Sequence, residues 1–221
     1  MTLNYRMGWT FFRLAFATYF RWRVYHSERV PLHGPVILAS NHASFLDPPL
    51  VGAGVTRPLH YLARATLFRF PVVGCILRSV NSVPVERDRG GGAGLKAILD
   101  RLRAGGAIVL FPEGTRTRDG RLQPARSGIG LVVIKSTAPV VPVRVFGTFA
   151  ACGRQMKFPR PRPVAVKYGR PLQFERQRAE AAAASKERVK EIYQEVAEEI
   201  MRAITRLEPG EDAELQTPPG A

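Results

Sequence analysis

His42 and Asp47 lie five residues apart in the stretch Asn41-His42-Ala43-Ser44-Phe45-Leu46-Asp47. Imidazole titrates near neutrality, and a carboxylate on one ring nitrogen fixes its tautomer and supports the imidazolium. Such a dyad can activate a hydroxyl that a substrate supplies, so no serine or cysteine nucleophile is required. The spacing sets a condition. Five residues along a regular helix separate two side chains by about 140° of rotation, and on a strand they face opposite sides. The two groups pair only where the chain turns between them. Otherwise His42 is a loop histidine and Asp47 caps the next helix.

A second group lies between Phe111 and Gly128. Pro112, Gly114, Asp119-Gly120 and Gly128 force turns, while Arg116, Arg118, Arg121 and Arg126 crowd a segment whose only acids are Glu113 and Asp119. Forked guanidinium groups suit phosphate oxygens. Glu113 can accept a hydrogen bond from a substrate hydroxyl or hold an arginine. The competing reading is a solvated basic loop, with Arg118 and Arg121 its plainest surface charges. The other candidates carry less. His26, His33 and His60 have no evident partners, and Gly90-Gly91-Gly92 lacks the lysine of a P-loop. Cys75 and Cys152 show no paired spacing, so neither a disulfide framework nor a metal-ligand set is visible.

The elements that must position these residues read as follows. Pro35 to Ser40 is a short buried strand, and a helix starts at Asp47-Pro48-Pro49 with Asp47 placed to cap it. A strand-to-helix junction therefore falls between His42 and Asp47, the place where α/β proteins build their sites. Further strands are expected at Leu59–Ala63, Asn81–Val85, Ala107–Phe111, Val140–Phe146 and Val164–Tyr168. Helices are expected over about residues 6–25, 70–80, from the glycine run through Leu95, Ile98 and Leu102, over 129–136, and over 184–207. The alternation predicts an α/β fold: a single domain with a mixed, largely parallel sheet flanked by helices, ending in a long amphipathic helix. Residues 1–30 form an N-terminal interfacial region, 31–207 the main domain and 208–221 a disordered tail.

The formal net charge is +15. Residues 1–170 carry 26 Lys and Arg against 7 Asp and Glu, whereas residues 171–221 carry 7 against 11. Such a basic surface attracts phosphate-bearing partners: nucleic acid, anionic lipid or phosphorylated small molecules. The apolar run Trp9–Phe20, broken by Arg13, is too short to cross a bilayer, which takes roughly 20 apolar residues. Its aromatics mix with Arg6, Arg13, Arg21 and Arg23, the make-up of a helix lying in a membrane interface; the alternative is a core helix. No nucleic-acid motif accompanies the charge, so nucleic acid is not an expected partner.

Asn41-His42-x4-Asp47 resembles the His-x4-Asp block of the glycerophospholipid acyltransferases, the family of 1-acyl-sn-glycerol-3-phosphate acyltransferases. Three further blocks follow in order: Asn81-Ser-Val-Pro-Val-Glu-Arg87, Phe111-Pro-Glu-Gly-Thr-Arg116 and Pro139-Val-Val-Pro142-Val143. The resemblance covers about residues 35–147. It implies acyl transfer from acyl-CoA or an acyl-carrier protein to the sn-2 hydroxyl of 1-acyl-sn-glycerol-3-phosphate, giving phosphatidic acid, with no acyl-enzyme and no cofactor. His42 would be the general base, Asp47 its orienting partner, and Arg87, Glu113, Gly114, Thr115, Arg116 and Arg126 the acceptor-binding residues. Implied partners are a lysophospholipid, the acyl carrier and an anionic membrane surface, with the protein peripheral or monotopic on the cytoplasmic face. Two positions depart from the usual pattern: Asn81 stands where glycine is common, and Arg126 where lysine is common. Both bear on the headgroup, so another lysolipid acceptor, such as a lyso-aminolipid, is the alternative within the family. Outside it, the alternatives are a basic nucleic-acid-binding protein and a catalytically dead scaffold.

Overall fold

A computed structural model describes residues 2–85 and 92–210. Arg87, Gly90, Gly91 and the tail from residue 211 lie outside the described residues. The described chain runs α1 (Leu3–Tyr19), β1 (Arg23–Tyr25), β2 (Val36–Ser40), α2 (Asp47–Ala53), β3 (Leu59–Arg64), α3 (Pro71–Ser79), β4 (Ser82–Val85), α4 (Gly92–Arg103) and β5 (Ala107–Leu110). It continues through α5 (Gly128–Ile134), β6 (Val140–Phe146), α6 (Thr148–Cys152), β7 (Ala165–Tyr168), α7 (Glu175–Ala183) and α8 (Lys186–Thr205).

The strands form one seven-stranded sheet in the order β1-β7-β6-β2-β5-β3-β4. Every pair is parallel except β6 with β7, which run antiparallel. This is the mixed, largely parallel sheet that the alternation of elements predicts. Its central strand, β2, is buried along its whole length, as a strand covered on both faces must be. Side chains alternate between two cores. Val36 and Leu38 join Phe16 of α1, Phe20 just after it, and Leu50 and Val51 of α2. Ile37 and Ala39 face the other way, onto Ile98 of α4, Ile129 of α5 and Ile192 and Ile200 of α8.

The long C-terminal helix is present as expected. Ser185 caps it by accepting from the Arg188 backbone N–H, and Ile192, Val196, Ile200 and Ile204 bury one stripe. Gly130 lets α5 approach it closely: a Cβ there would sit 1.9 Å from the Tyr193 carbonyl oxygen.

Two expectations are corrected and one omission is filled. The N-terminal helix stops at Tyr19 rather than near residue 25, because Arg21 takes a left-handed φ of 46° and Arg23–Tyr25 pairs with β7 as an edge strand. Asp47 does not cap α2: Leu46 holds the cap position and makes no side-chain cap hydrogen bond. The short helices α6 and α7 appear where the sequence shows no clear apolar period. Helix α1 has one face in the core and another exposed. Tyr5 and Phe16 are buried, while Leu3, Met7, Phe11 and Leu14 are exposed. No described helix is long and apolar enough to cross a membrane.

Candidate active site

The strands β2 and β5 are parallel neighbours, so their carboxyl ends emerge side by side and bring together loops some seventy residues apart in sequence. At the end of β2 the chain must leave the sheet. Asn41 makes this possible, since its side-chain amide donates to the Val145 carbonyl (3.3 Å) and accepts from the Val145 N–H (2.8 Å). The side chain takes the place of the next backbone rung to β6, and the main chain turns away.

The turn closes around Asp47. One oxygen, Oδ2, accepts from the backbone N–H groups of Ala43 and Ser44, both at 2.6 Å, and pairs with His42 Nδ1 at 2.8 Å. Asp47 is fully buried. The geometric condition set by the five-residue spacing is thus met, by a loop wrapped on the carboxylate. An ionised Asp47 can only accept, so the proton on that side belongs to Nδ1 and Nε2 is left without it. His42 lines the adjacent cavity, and the Phe111 ring stacks on the imidazole at 3.9 Å and 18°.

The β5 loop grips His42 from the other side. Glu113 Oε1 accepts from the His42 N–H (3.0 Å), and the Thr117 N–H donates to the His42 carbonyl (2.9 Å). Gly114 turns the loop with φ +70°, and a Cβ there would lie 3.0 Å from the Arg126 side chain. Glu113 is 2% exposed. Burial raises its carboxyl to about pH 7; the backbone N–H groups of His42 and Gln123 oppose the rise and the Asp47 charge adds to it.

A cavity of about 600 Å³ opens beside His42. Its apolar lining includes Tyr5, Trp9 and Phe12 of α1, Pro48 of α2, Leu62 of β3 and Ile76 of α3. The α1 helix is anchored there by polar handles: Trp9 Nε1 donates to the Val55 carbonyl (2.9 Å) and Arg13 to the Ala53 carbonyl (2.8 Å). The polar part holds His42, Thr115, Arg116, Arg64 and Arg154. The Arg116 guanidinium lies 3.4 Å over the Phe45 ring, and its buried Nη1 has no hydrogen-bond partner. Burial lowers its pKa first, followed by the nearby charge of Arg154; Asp47 opposes and Arg64 adds a smaller decrease.

Among the residues singled out from sequence, His42, Asp47, Glu113, Gly114, Thr115 and Arg116 come together here. Of these, His42, Thr115 and Arg116 line the cavity; Glu113 turns to backbone. Arg126 is exposed and lies against Gly114, and its N–H donates to the Pro112 carbonyl at 2.9 Å. Arg87 is not among the described residues. Two arginines escaped the sequence reading. Arg64 ends a strand, which is a usable signal for a site residue in an α/β fold. Arg154 follows a short helix in a segment with no pattern to mark it.

The chain is similar in sequence and fold to known proteins. Residues 21–146, more than half of the chain, match the family model described as Acyltransferase. The chain is 34% identical over 117 residues to the chloroplastic 1-acyl-sn-glycerol-3-phosphate acyltransferase BAT2 of Brassica napus, covering 52% of this chain and 33% of that protein. It is 29% identical over 126 residues to the 1-acyl-sn-glycerol-3-phosphate acyltransferase of Bacillus subtilis, covering 57% and 62%. The chain thus matches a third to under two thirds of the length of these relatives. The crystal structure of the 1-acyl-sn-glycerophosphate acyltransferase PlsC from Thermotoga maritima superposes with a TM-score of 0.71 at 24% identity, over 93% of this chain and 81% of that one, a likeness of fold. On the match of residues 21–146, the chain belongs to the acyltransferase family.

Proposed function

We propose that this protein transfers an acyl group from a thioester, acyl-CoA or acyl-carrier protein, to the sn-2 hydroxyl of 1-acyl-sn-glycerol-3-phosphate, giving phosphatidic acid. The observation that carries the reading is the His42–Asp47 pair, 2.8 Å apart, at a cavity that is apolar on one side and arginine-bearing on the other. The names of the relatives support the acceptor.

In this mechanism the acceptor hydroxyl donates to His42 Nε2. As its oxygen attacks the thioester carbonyl carbon, the proton passes to Nε2, and Asp47 supports the imidazolium through Nδ1. The tetrahedral intermediate collapses with cleavage of the C–S bond, and the departing thiolate takes the proton back from Nε2. The balance closes without an acyl-enzyme or any cofactor beyond the co-substrate. The exposed apolar face of α1 would seat the enzyme, peripheral or monotopic, on an anionic cytoplasmic leaflet, so that a lipid acceptor enters beside the helix.

An acyl-CoA assay against a panel of lysophospholipids tests this. His42→Ala should lose at least ~100-fold in kcat, in line with removal of a general base. Full activity in that variant would overturn the mechanism, and turnover of other lysolipids in place of lysophosphatidic acid would overturn the acceptor.

A further inference from the structure

Three guanidinium groups, Arg64, Arg116 and Arg154, line the polar part of the cavity beside His42. Among the described residues none of the three makes an ion pair, and two carboxylates near them, Asp47 and Glu113, are buried and turned to the His42 loop. Like charges gathered without a paired acid repel one another, and Arg154 and Arg64 both lower the Arg116 pKa, so the arrangement favours a bound anion that all three can reach.

Arg154 is the member with no warrant in the sequence pattern, and it lies beyond the residues that match the family. Its position is nevertheless built. Ser44 Oγ donates to the Cys152 carbonyl at 2.6 Å, Ser44 and Gly153 form an antiparallel bridge, and the Met156 N–H closes a turn on the Gly153 carbonyl at 3.0 Å. The residue before Arg154 is therefore sewn to the same turn that carries His42. The segment after α6 can place a charge at the cavity only while that turn is intact.

Resting on the function proposed above, we infer that Arg154 completes a three-arginine cradle for a phosphate monoester and makes the site selective for that headgroup. A monoester can carry a second negative charge and offers three terminal oxygens, whereas the phosphodiester of a choline or glycerol headgroup offers one charge and two terminal oxygens. Arg116, stacked on Phe45 with a free Nη1, contacts one part of the anion, and Arg154 reaches it from the α6 side. The same chemistry occurs on the acceptor's glycerol and on coenzyme A, so the two sources must be separated by experiment.

The test compares wild type with Arg154→Ala and Arg154→Lys on lysophosphatidic acid and lysophosphatidylcholine, varying acceptor and acyl-CoA in turn. Direct binding of lysophosphatidic acid is measured in parallel. Arg154→Ala should raise KM and Kd for lysophosphatidic acid roughly 10- to 100-fold, the range of a hydrogen bond to a charged group, with kcat within about 3-fold. Arg154→Lys should recover much of the loss, because the charge remains. A rise in the acyl-CoA KM alone keeps the phosphate cradle and assigns it to the donor. A wild-type preference for lysophosphatidic acid that survives intact in Arg154→Ala, with the acyl-CoA KM also unchanged, overturns the cradle and spares the function. A wild type that neither binds nor uses lysophosphatidic acid better than lysophosphatidylcholine, with an acyl-CoA KM that Arg154→Ala leaves unchanged, overturns both. Binding that depends on Arg154 without turnover overturns the function and spares the cradle.

Discussion

At the residue scale, the buried carboxylates have unlike tasks. Asp47 gathers three donors on one oxygen, so replacing it with asparagine introduces an N–H where the loop requires an acceptor. Asp47→Asn should lower kcat by roughly 10²- to 10⁴-fold by releasing the imidazole tautomer, with the larger loss if the loop also opens. Steady-state assays with circular dichroism distinguish the two. Glu113 makes a prediction about stability. Below its ordinary value of 4.5, both the folded and unfolded chains hold its proton; between there and about 7 only the folded chain does. Stability therefore falls as pH rises through that window and levels off above it. Urea denaturation at pH 5 and pH 8 should show a larger drop for wild type than for Glu113→Gln, and equal drops would overturn the assignment. His42 and Asp47 were legible in sequence because both chemistry and spacing are local. Glu113 was legible only as a site residue, since its hydrogen bond to the His42 backbone depends on β2 and β5 being neighbours.

At the element scale, α1 and α3 share a character that the sequence revealed for only one of them. Both line the cavity, and α3 with its preceding turn also exposes Phe70, Val72 and Ile76. In sequence the apolar run of α1 reads as an interface helix, with a core helix as the alternative. By contrast, α3 is short, and in sequence a short apolar segment reads equally as core. The faces of α1 give a clean contrast. Phe11 is 65% exposed and Phe16 is 1% exposed. Phe11→Asp should weaken vesicle binding and leave the melting temperature nearly unchanged. Phe16→Ala should cost about 3–5 kcal/mol of stability through the cavity it leaves. Equal thermal destabilisation by both variants would mean that Phe11 serves packing and not a membrane. The early end of α1 was not legible. It depends on a strand at residues 23–25 that exists only because β7, some 140 residues later, offers an edge.

At the scale of the whole molecule, the uneven charge acquires a direction. The helices α1 and α2 cover one face of the sheet, and α4, α5 and α8 cover the other. Glu187, Glu191, Glu195 and Glu198 all lie on exposed parts of α8, in the layer opposite α1. These four carboxylates are thereby carried away from the face that holds the exposed apolar side chains of α1, and the layer order follows from the alternation of β2 side chains between two cores. An anionic surface would attract the α1 face and repel the α8 face, which would orient the cavity mouth toward lipid. Charge reversals measure this orientation. Arg6→Glu on α1, or Arg69→Glu just before α3, should weaken binding to vesicles containing anionic lipid by several-fold, since one basic group near such a surface contributes about 1 kcal/mol. Glu198→Lys on α8 should change it far less, although it alters the net charge by the same amount in the opposite sense. Raising ionic strength from low to physiological should shrink the effect of Arg6→Glu, because the Debye length falls to about 8 Å. If all three reversals scale with net charge alone, the molecule meets the membrane without a preferred face, and the route by which acceptor reaches His42 cannot depend on α1.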